Sequence, residues 1–309
     1  MGTPDFAIPP LQMLIDGEHN LVGVYTQEDK PSGRRRTAVP SPVKRFAIDH
    51  NLPIFQPDSL KSVDEVARLA ELHPDIVVVA AFGQILTQSI LDIPPHGCLN
   101  IHPSLLPRHR GPSPVTDSIL CGDEIGGVTL MLMDKGLDTG PIIAQQTIPI
   151  APEETTGSLT QMLAQLGAQL LMEKLTDWMH GRITPEQQDH KRATYSHLIT
   201  KEMGKLSWQT PASELSRMVR AFQPWPSCYT TWRRMHVKII EVSPISTNPM
   251  GQIGQVVNLR QSEAPIVGVQ TSDGVLEISK VQPAGKRVMT IHEFTRGQKE
   301  FLGSLLSSE

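Results

Sequence analysis

The first 150 residues alternate short apolar runs with amphipathic stretches. Strand-like runs fall at Asn20–Thr26, Asp75–Phe82, Gly97–His102, Val128–Asp134 and Ile142–Ile150. Between them, Pro9–Gly17, Pro42–His50, Val63–Leu72 and Gln84–Leu91 carry helical spacing. The β-branched triplet Val77-Val78-Val79 suits a strand covered on both faces, as parallel strands are. This alternation predicts an α/β, doubly wound, mostly parallel sheet of Rossmann-like type. From Thr155 to Gly181, Leu159, Leu163, Leu166, Leu170 and Trp178 predict one long helix, started by Thr156 or Ser158 and ended by Gly181 and Pro185. Residues 182–200 are polar and read as a linker. Beyond the Pro-bounded stretch Gln223-Pro224-Trp225-Pro226, short runs at Val237–Val242, Gly254–Asn258, Ile266–Thr271 and Val275–Val281 are separated by turn residues such as Ser272-Asp273-Gly274. They predict a second, smaller β-barrel domain of OB-like type. The expected division is 1–181, a linker 182–200, and 201–309.

The opening Met1-Gly2-Thr3-Pro4-Asp5-Phe6 reads as a loop that follows a strand, so the first strand of the sheet is expected to be missing from the chain as written.

Composition narrows the field. The 309 residues are 39% hydrophobic and 19% charged, ordinary for a globular protein. No apolar run reaches the length of a membrane-spanning helix. Cys98, Cys121 and Cys228 are widely spaced and form no CxxC pair, which argues against a disulfide framework or a zinc site and fits a reducing compartment. Net charge is -4, but it is divided: residues 1–200 carry 15 basic and 23 acidic side chains, residues 201–309 carry 13 and 9. A basic second half is compatible with a polyanionic partner, and equally with ordinary surface variation.

Three stretches hold candidate chemistry. In Asn100-Ile101-His102-Pro103-Ser104-Leu105-Leu106-Pro107, Asn100 and His102 are two apart on a predicted strand and share a face. Pro103 limits the ladder, so the pair sits at a carboxyl strand end, the edge where open α/β sheets bind ligands. An isolated histidine there is more often structural than catalytic. Asp138 lies in the Gly-rich loop Asp134-Lys135-Gly136-Leu137-Asp138-Thr139-Gly140, within reach of the same edge or simply in a turn. Lys30-Pro31-Ser32-Gly33-Arg34-Arg35-Arg36 is a basic loop suited to phosphates, or a solvated charge run.

Several stretches together carry a resemblance over essentially the whole chain. They are Gly2-Thr3-Pro4-Asp5-Phe6-Ala7, Thr26-Gln27, Pro40-Ser41-Pro42-Val43-Lys44, Asn100-Ile101-His102 with Ser104-Leu105-Leu106-Pro107, Gly136-Leu137-Asp138-Thr139-Gly140, Arg220-Ala221-Phe222 with Pro224-Trp225-Pro226, and Gln282-Pro283-Ala284-Gly285-Lys286. The chain resembles the methionyl-tRNA formyltransferases, a branch of the folate-dependent formyltransferases. The resemblance implies transfer of a formyl group from 10-formyltetrahydrofolate to the α-amine of initiator methionyl-tRNA in translation initiation. By the same resemblance Asn100, His102 and Asp138 are the catalytic residues, and Ser104, Leu105, Leu106 and Pro107 line the folate site. It assigns tRNA recognition to Arg34, supported by Arg35 and Arg36; Lys286 and Arg287 are either further contacts or a solvated pair. No metal is implied, and a cytoplasmic monomer is expected. The rival expectations are a small-amine formyltransferase and an idle RNA-binding protein of the same fold.

Overall fold

The computed structural model describes residues 1–17, 19–32, 37–260 and 266–306. The elements follow in chain order as α1 (Ile8–Asp16), β1 (Val24–Tyr25), β2 (Lys30–Ser32), β3 (Thr37–Val39), α2 (Pro42–Asp49), β4 (Ile54–Phe55), α3 (Val63–Glu71), β5 (Val77–Val79), α4 (Gln88–Leu91), β6 (Cys98–His102), α5 (Pro114–Cys121), β7 (Ile125–Leu132), β8 (Ile142–Pro149) and α6 (Thr156–Met179). The chain continues as α7 (Ala212–Ala221), β9 (Cys228–Trp232), β10 (Met235–Ile245), β11 (Val256–Arg260), β12 (Ile266–Gln270), β13 (Val275–Pro283), β14 (Met289–Thr290) and α8 (Ile291–Gly297).

The chain divides into two compact units. The first gathers residues 1–114, 124–150 and 158–197; the second gathers 115–123, 151–157 and 198–309. The polar stretch read as a linker is thus folded through residue 197 into the first unit, because its backbone amides and carbonyls pair with loops there. Arg110 N donates to Thr194 O at 2.9 Å, Ser196 N donates to Arg110 O at 2.7 Å, and Ile142 and Glu186 exchange two bonds of 2.7 Å.

In the first unit, β1 pairs in parallel with β4, and β5-β6-β7-β8 form a four-stranded sheet in that order. The β5–β6 pair is parallel, while β6–β7 and β7–β8 are antiparallel, so the sheet is mixed at the edge that carries β8. Met1 and Gly2 run between β1 and β5: Met1 N donates to Val78 O at 2.7 Å, Ala80 N to Met1 O and Gly2 N to Tyr25 O, both at 2.9 Å. A cavity of about 260 Å³ lies beside them, walled by Leu14, Val22, Leu72 and Val78 among others. None of its walls belongs to the polar cluster described below.

Local signals account for the helices. Ser41 caps α2 by accepting from Lys44 N at 3.0 Å, and Pro42 presets the first helical φ. Ser62 caps α3, whose first turn holds Asp64 and Glu65 where the helix dipole favours anions. The predicted helix Gln84–Leu91 is only the single turn α4, because Gln84 is used sideways: its Nε2 donates to Pro57 O at 2.8 Å and its Oε1 accepts from Leu60 N at 3.2 Å. Thr156, offered above as a cap, is instead the first residue of α6. Residue 167 of α6 is glycine where a Cβ would meet Ile101 Cγ2 of β6 at 2.5 Å, so the helix lies close against the strand that carries the site.

The second unit is an antiparallel sheet in the order β11-β12-β13-β10-β9, with β14 added to β13. Among the described residues its pairing runs as an open path. Turn Ser272-Asp273-Gly274 joins β12 to β13, with Gly274 at a φ of 74°. Trp232, Phe294 and Phe301 meet edge to face, at centroid distances of 5.0 to 6.1 Å. Helix α7 and strand β9 were not evident from hydrophobic pattern, being interrupted by polar residues. Among the described residues, no helix is long and apolar enough to cross a membrane.

Candidate functional site

Strand β6 is buried at all five positions. It pairs Asn100 with Val79 on one side and with Met131 on the other, and ends with His102 opposite Thr129. Two-residue periodicity puts Asn100 and His102 on one face, as the sequence predicts. Both are buried, Asn100 at 9% and His102 at 4% relative exposure. No described residue hydrogen-bonds the Asn100 side-chain amide, which leaves its donors for a ligand. A polar side chain this buried ordinarily has a partner.

His102 is held at one ring nitrogen and open at the other. Its Nε2 lies 3.0 Å from the carbonyl of His109. A carbonyl only accepts, so the neutral ring carries its proton on Nε2 and leaves Nδ1 bare. Nδ1 faces Asp138 Oδ2 at 3.7 Å, too long for a hydrogen bond and close enough for charge stabilisation. Burial pushes the His102 pKa below its ordinary 6.5. Asp138 and the bond to His109 oppose this shift, and the neighbouring His109 and Arg110 reinforce it. The group is therefore a neutral base whose protonated form has a counter-charge waiting beside it.

Asp138 reaches the site from the loop between β7 and β8. Asp134 Oδ1 closes this loop by accepting from Gly136 N at 2.9 Å and Thr139 Oγ1 at 2.7 Å. Asp138 itself has a φ of 52°, a left-handed conformation that aspartate tolerates better than most residues. Its Oδ2 accepts from Gly111 N at 2.7 Å. His109 and Gly111, whose backbones hold His102 and Asp138, have φ values of 56° and 108°. Unusual backbone geometry at three positions around one imidazole is the pattern expected of a functional site.

The segment Ser104–Pro107 turns beside β7. Thr129 Oγ1 donates to Ser104 O at 2.7 Å and accepts from Leu106 N at 3.0 Å; Gln145 Nε2 donates to both Leu106 O and Thr129 Oγ1. Ser104 Oγ donates to Arg108 O at 2.7 Å, so its hydroxyl shapes the turn. Leu106 is buried, while Leu105 and Pro107 are half-buried. The structure thus brings Asn100, His102 and Asp138 together and places the four-residue segment directly after them. Arg34, Arg35 and Arg36 lie outside the described residues. Arg287 is exposed and paired with Glu293 at 3.0 Å.

Two residues of this region were not found from the sequence. Arg110 and Gln188 are buried at 1% and 5% exposure, and they meet across 78 residues of chain. Arg110 could have been suspected only from its place just after the Ser-Leu-Leu-Pro motif; for Gln188 nothing in the sequence points to the site.

An amide donor with no partner among the described residues, next to a neutral imidazole with a bare nitrogen and a carboxylate behind it, can meet a developing oxyanion and move a proton, the chemistry a group transfer needs at the carboxyl end of an α/β sheet. A family model described as Formyl transferase matches residues 1–175, and one described as Formyl transferase, C-terminal domain, matches residues 198–299. The chain belongs to this formyl transferase family. It is 46% identical over 303 residues to a methionyl-tRNA formyltransferase of Dehalococcoides mccartyi, covering 98% of this chain and 96% of the relative. It is 44% identical over 290 residues to the methionyl-tRNA formyltransferase of Chloroflexus aurantiacus, covering 94% and 93%. Among solved structures, an N-formyltransferase from Helicobacter canadensis, crystallised with folinic acid and dTDP-3-aminofucose, superposes with a TM-score of 0.65 over 90% of this chain and 96% of its own. At 18% identity, that likeness speaks for the fold.

Proposed function

We propose that this chain transfers the formyl group of 10-formyltetrahydrofolate to the α-amine of initiator methionyl-tRNA. The amine attacks the formyl carbon, the C=O electrons move to oxygen, and the tetrahedral adduct collapses with loss of the folate N10. Asn100 donates to the oxyanion. His102 Nδ1 takes the proton that the amine loses and returns it to N10, so no proton is left over. Asp138 stabilises the transient imidazolium. Leu105 and Pro107 offer an apolar wall to the folate ring, and the bonds of Ser104, Thr129 and Gln145 keep the backbone of that wall, including buried Leu106, in place. The role of Arg34, Arg35 and Arg36 in tRNA recognition rests on the sequence alone, as does that of Lys286. A monomer working where translation initiates, in the cytoplasm, fits this reading.

The observation that carries the chemistry is the bare Nδ1 of a buried His102 beside an unbonded Asn100. The choice of acceptor is carried by identity of 44% to 46% along nearly the whole chain to relatives named for methionyl-tRNA. The test is formyl transfer with charged initiator methionyl-tRNA, free methionine and small amines as competing acceptors. Transfer to the tRNA alone supports the reading; transfer to a small amine alone keeps the site and removes the tRNA role.

A further inference from the structure

Arg110 is fully buried, yet among the described residues no carboxylate pairs with it. Its Nε and Nη2 both donate to Gln188 Oε1, at 3.1 and 2.7 Å; Nη2 also meets His190 Nδ1 at 3.1 Å. Its Nη1 donates to the Tyr195 hydroxyl at 3.3 Å, and its guanidinium carbon lies 5.9 Å from the centre of the Tyr195 ring. Burying a cation among neutral acceptors is costly, so a gain elsewhere must sustain it.

The other end of Gln188 shows where. Its Nε2 donates to Asp138 O at 2.9 Å and to Gly140 O at 2.7 Å. Gln188 therefore ties the loop that presents Asp138 to Arg110. The residues on either side of Arg110 do the rest: His109 O receives His102 Nε2, and Gly111 N donates to Asp138 Oδ2. One bracket thus runs from the imidazole, through the backbone of 109–111 and the Arg110–Gln188 fork, to both ends of Asp138.

We infer that Arg110 and Gln188 are positioning residues for formyl transfer, setting the separation of His102 from Asp138 without touching either substrate. The inference rests on the functional reading above. Errors of about 1 Å in such a geometry cost on the order of a hundredfold in rate. Because the two residues act as one bracket, their losses should not multiply.

The decisive variant is Gln188→Glu. Its carboxylate still takes the Arg110 fork, now as an ion pair, but it has no donor for Asp138 O and Gly140 O. A purely structural role predicts normal turnover. The bracket predicts a kcat lowered about tenfold or more with KM for both substrates within about threefold, beyond any loss of stability from the two unpaired carbonyls. Arg110→Lys and Gln188→Ala should each lower kcat similarly, and the double variant should lie within about threefold of the worse single one. Multiplying effects, or singles that change melting alone, overturn the inference.

A second readout does not depend on turnover. The ring nitrogens of His102 are titrated by NMR in the full chain and in Gln188→Ala. Asp138, His109 and Arg110 face this ring. Burial lowers its midpoint and the Asp138 carboxylate raises it, so loosening the bracket, which admits water and moves the carboxylate, should shift the titration midpoint. An unmoved midpoint overturns the bracket even if the wild-type chain proves to transfer no formyl group; a shifted midpoint with no transfer retires the functional reading and leaves the bracket standing.

Discussion

Asp138 Oδ2 sits 3.7 Å from His102 Nδ1, while the opposite ring nitrogen is bound to the His109 carbonyl at 3.0 Å. The pair is arranged for a charge that comes and goes. A standing hydrogen bond from Nδ1 to the carboxylate would put the proton on the nitrogen proposed as the base. Here the backbone takes the resting proton's bond, and the carboxylate waits at a distance that matters only once the ring is charged.

A pH dependence follows. Burial holds the His102 pKa below 6.5, so kcat/KM should be flat above neutrality and fall as pH drops through a limb placed below 6.5. In Asp138→Asn the stabilisation of the imidazolium is lost, so the limb should move further to acid and the plateau should drop. The same shift is a stability statement: the unfolded chain binds this proton more readily, so His102 costs stability as pH falls below about 6.5 and costs nothing above it. Rate profiles between pH 5 and 8 check the first part and urea unfolding across the same range checks the second.

Thr129 is the anchor of the segment assigned to folate. Thr129→Val keeps the shape but leaves Leu106 N and Ser104 O without their partner. An unpaired buried group costs about 1–3 kcal/mol, and denaturant unfolding should register a loss of that size. KM for the folate should rise more than KM for the tRNA. Equal rises would argue against a folate role for residues 104–107.

The basic loop is separable from the chemistry. Arg34→Ala should raise KM for the tRNA with little change in kcat, and should flatten the salt dependence of binding by about one unit of slope for each phosphate that Arg34 neutralises. Binding measured from low to moderate salt decides this. An unchanged slope removes Arg34 from the interface.

Thiol chemistry tests the packing directly. Burial pushes Cys98 and Cys228 up to about 12, whereas Cys121 is exposed. A thiol reagent near pH 8 should label Cys121 in the folded protein and reach the other two only after denaturation. Rapid labelling of Cys98 would contradict the placement of β6 in the core.

The sequence disclosed this site unevenly, for physical reasons. Asn100 and His102 were legible because strand parity puts them on one face and Pro103 ends the strand beside them. The Val77–Val79 run announced its neighbour in the sheet. Asp138 was legible as a loop acid, but its aim depends on a positive φ and on Gly111, which composition does not reveal. Arg110 and Gln188 were invisible because their meaning arises only from a pairing across 78 residues of chain. The stretch 182–197 looked like a linker because it is polar, and it folds into the first unit because those polar groups pair with backbone rather than with water.

The proposed oxyanion role of Asn100 is decided by Asn100→Ala in a single-turnover assay, with 10-formyltetrahydrofolate and charged initiator methionyl-tRNA both saturating. The wild-type chain should formylate the tRNA and the variant should lose about a hundred- to a thousandfold in rate, the cost of removing an oxyanion donor, while tRNA binding and melting stay unchanged. A variant that turns over at the wild-type rate, or a wild-type chain that leaves methionyl-tRNA unformylated, would contradict it.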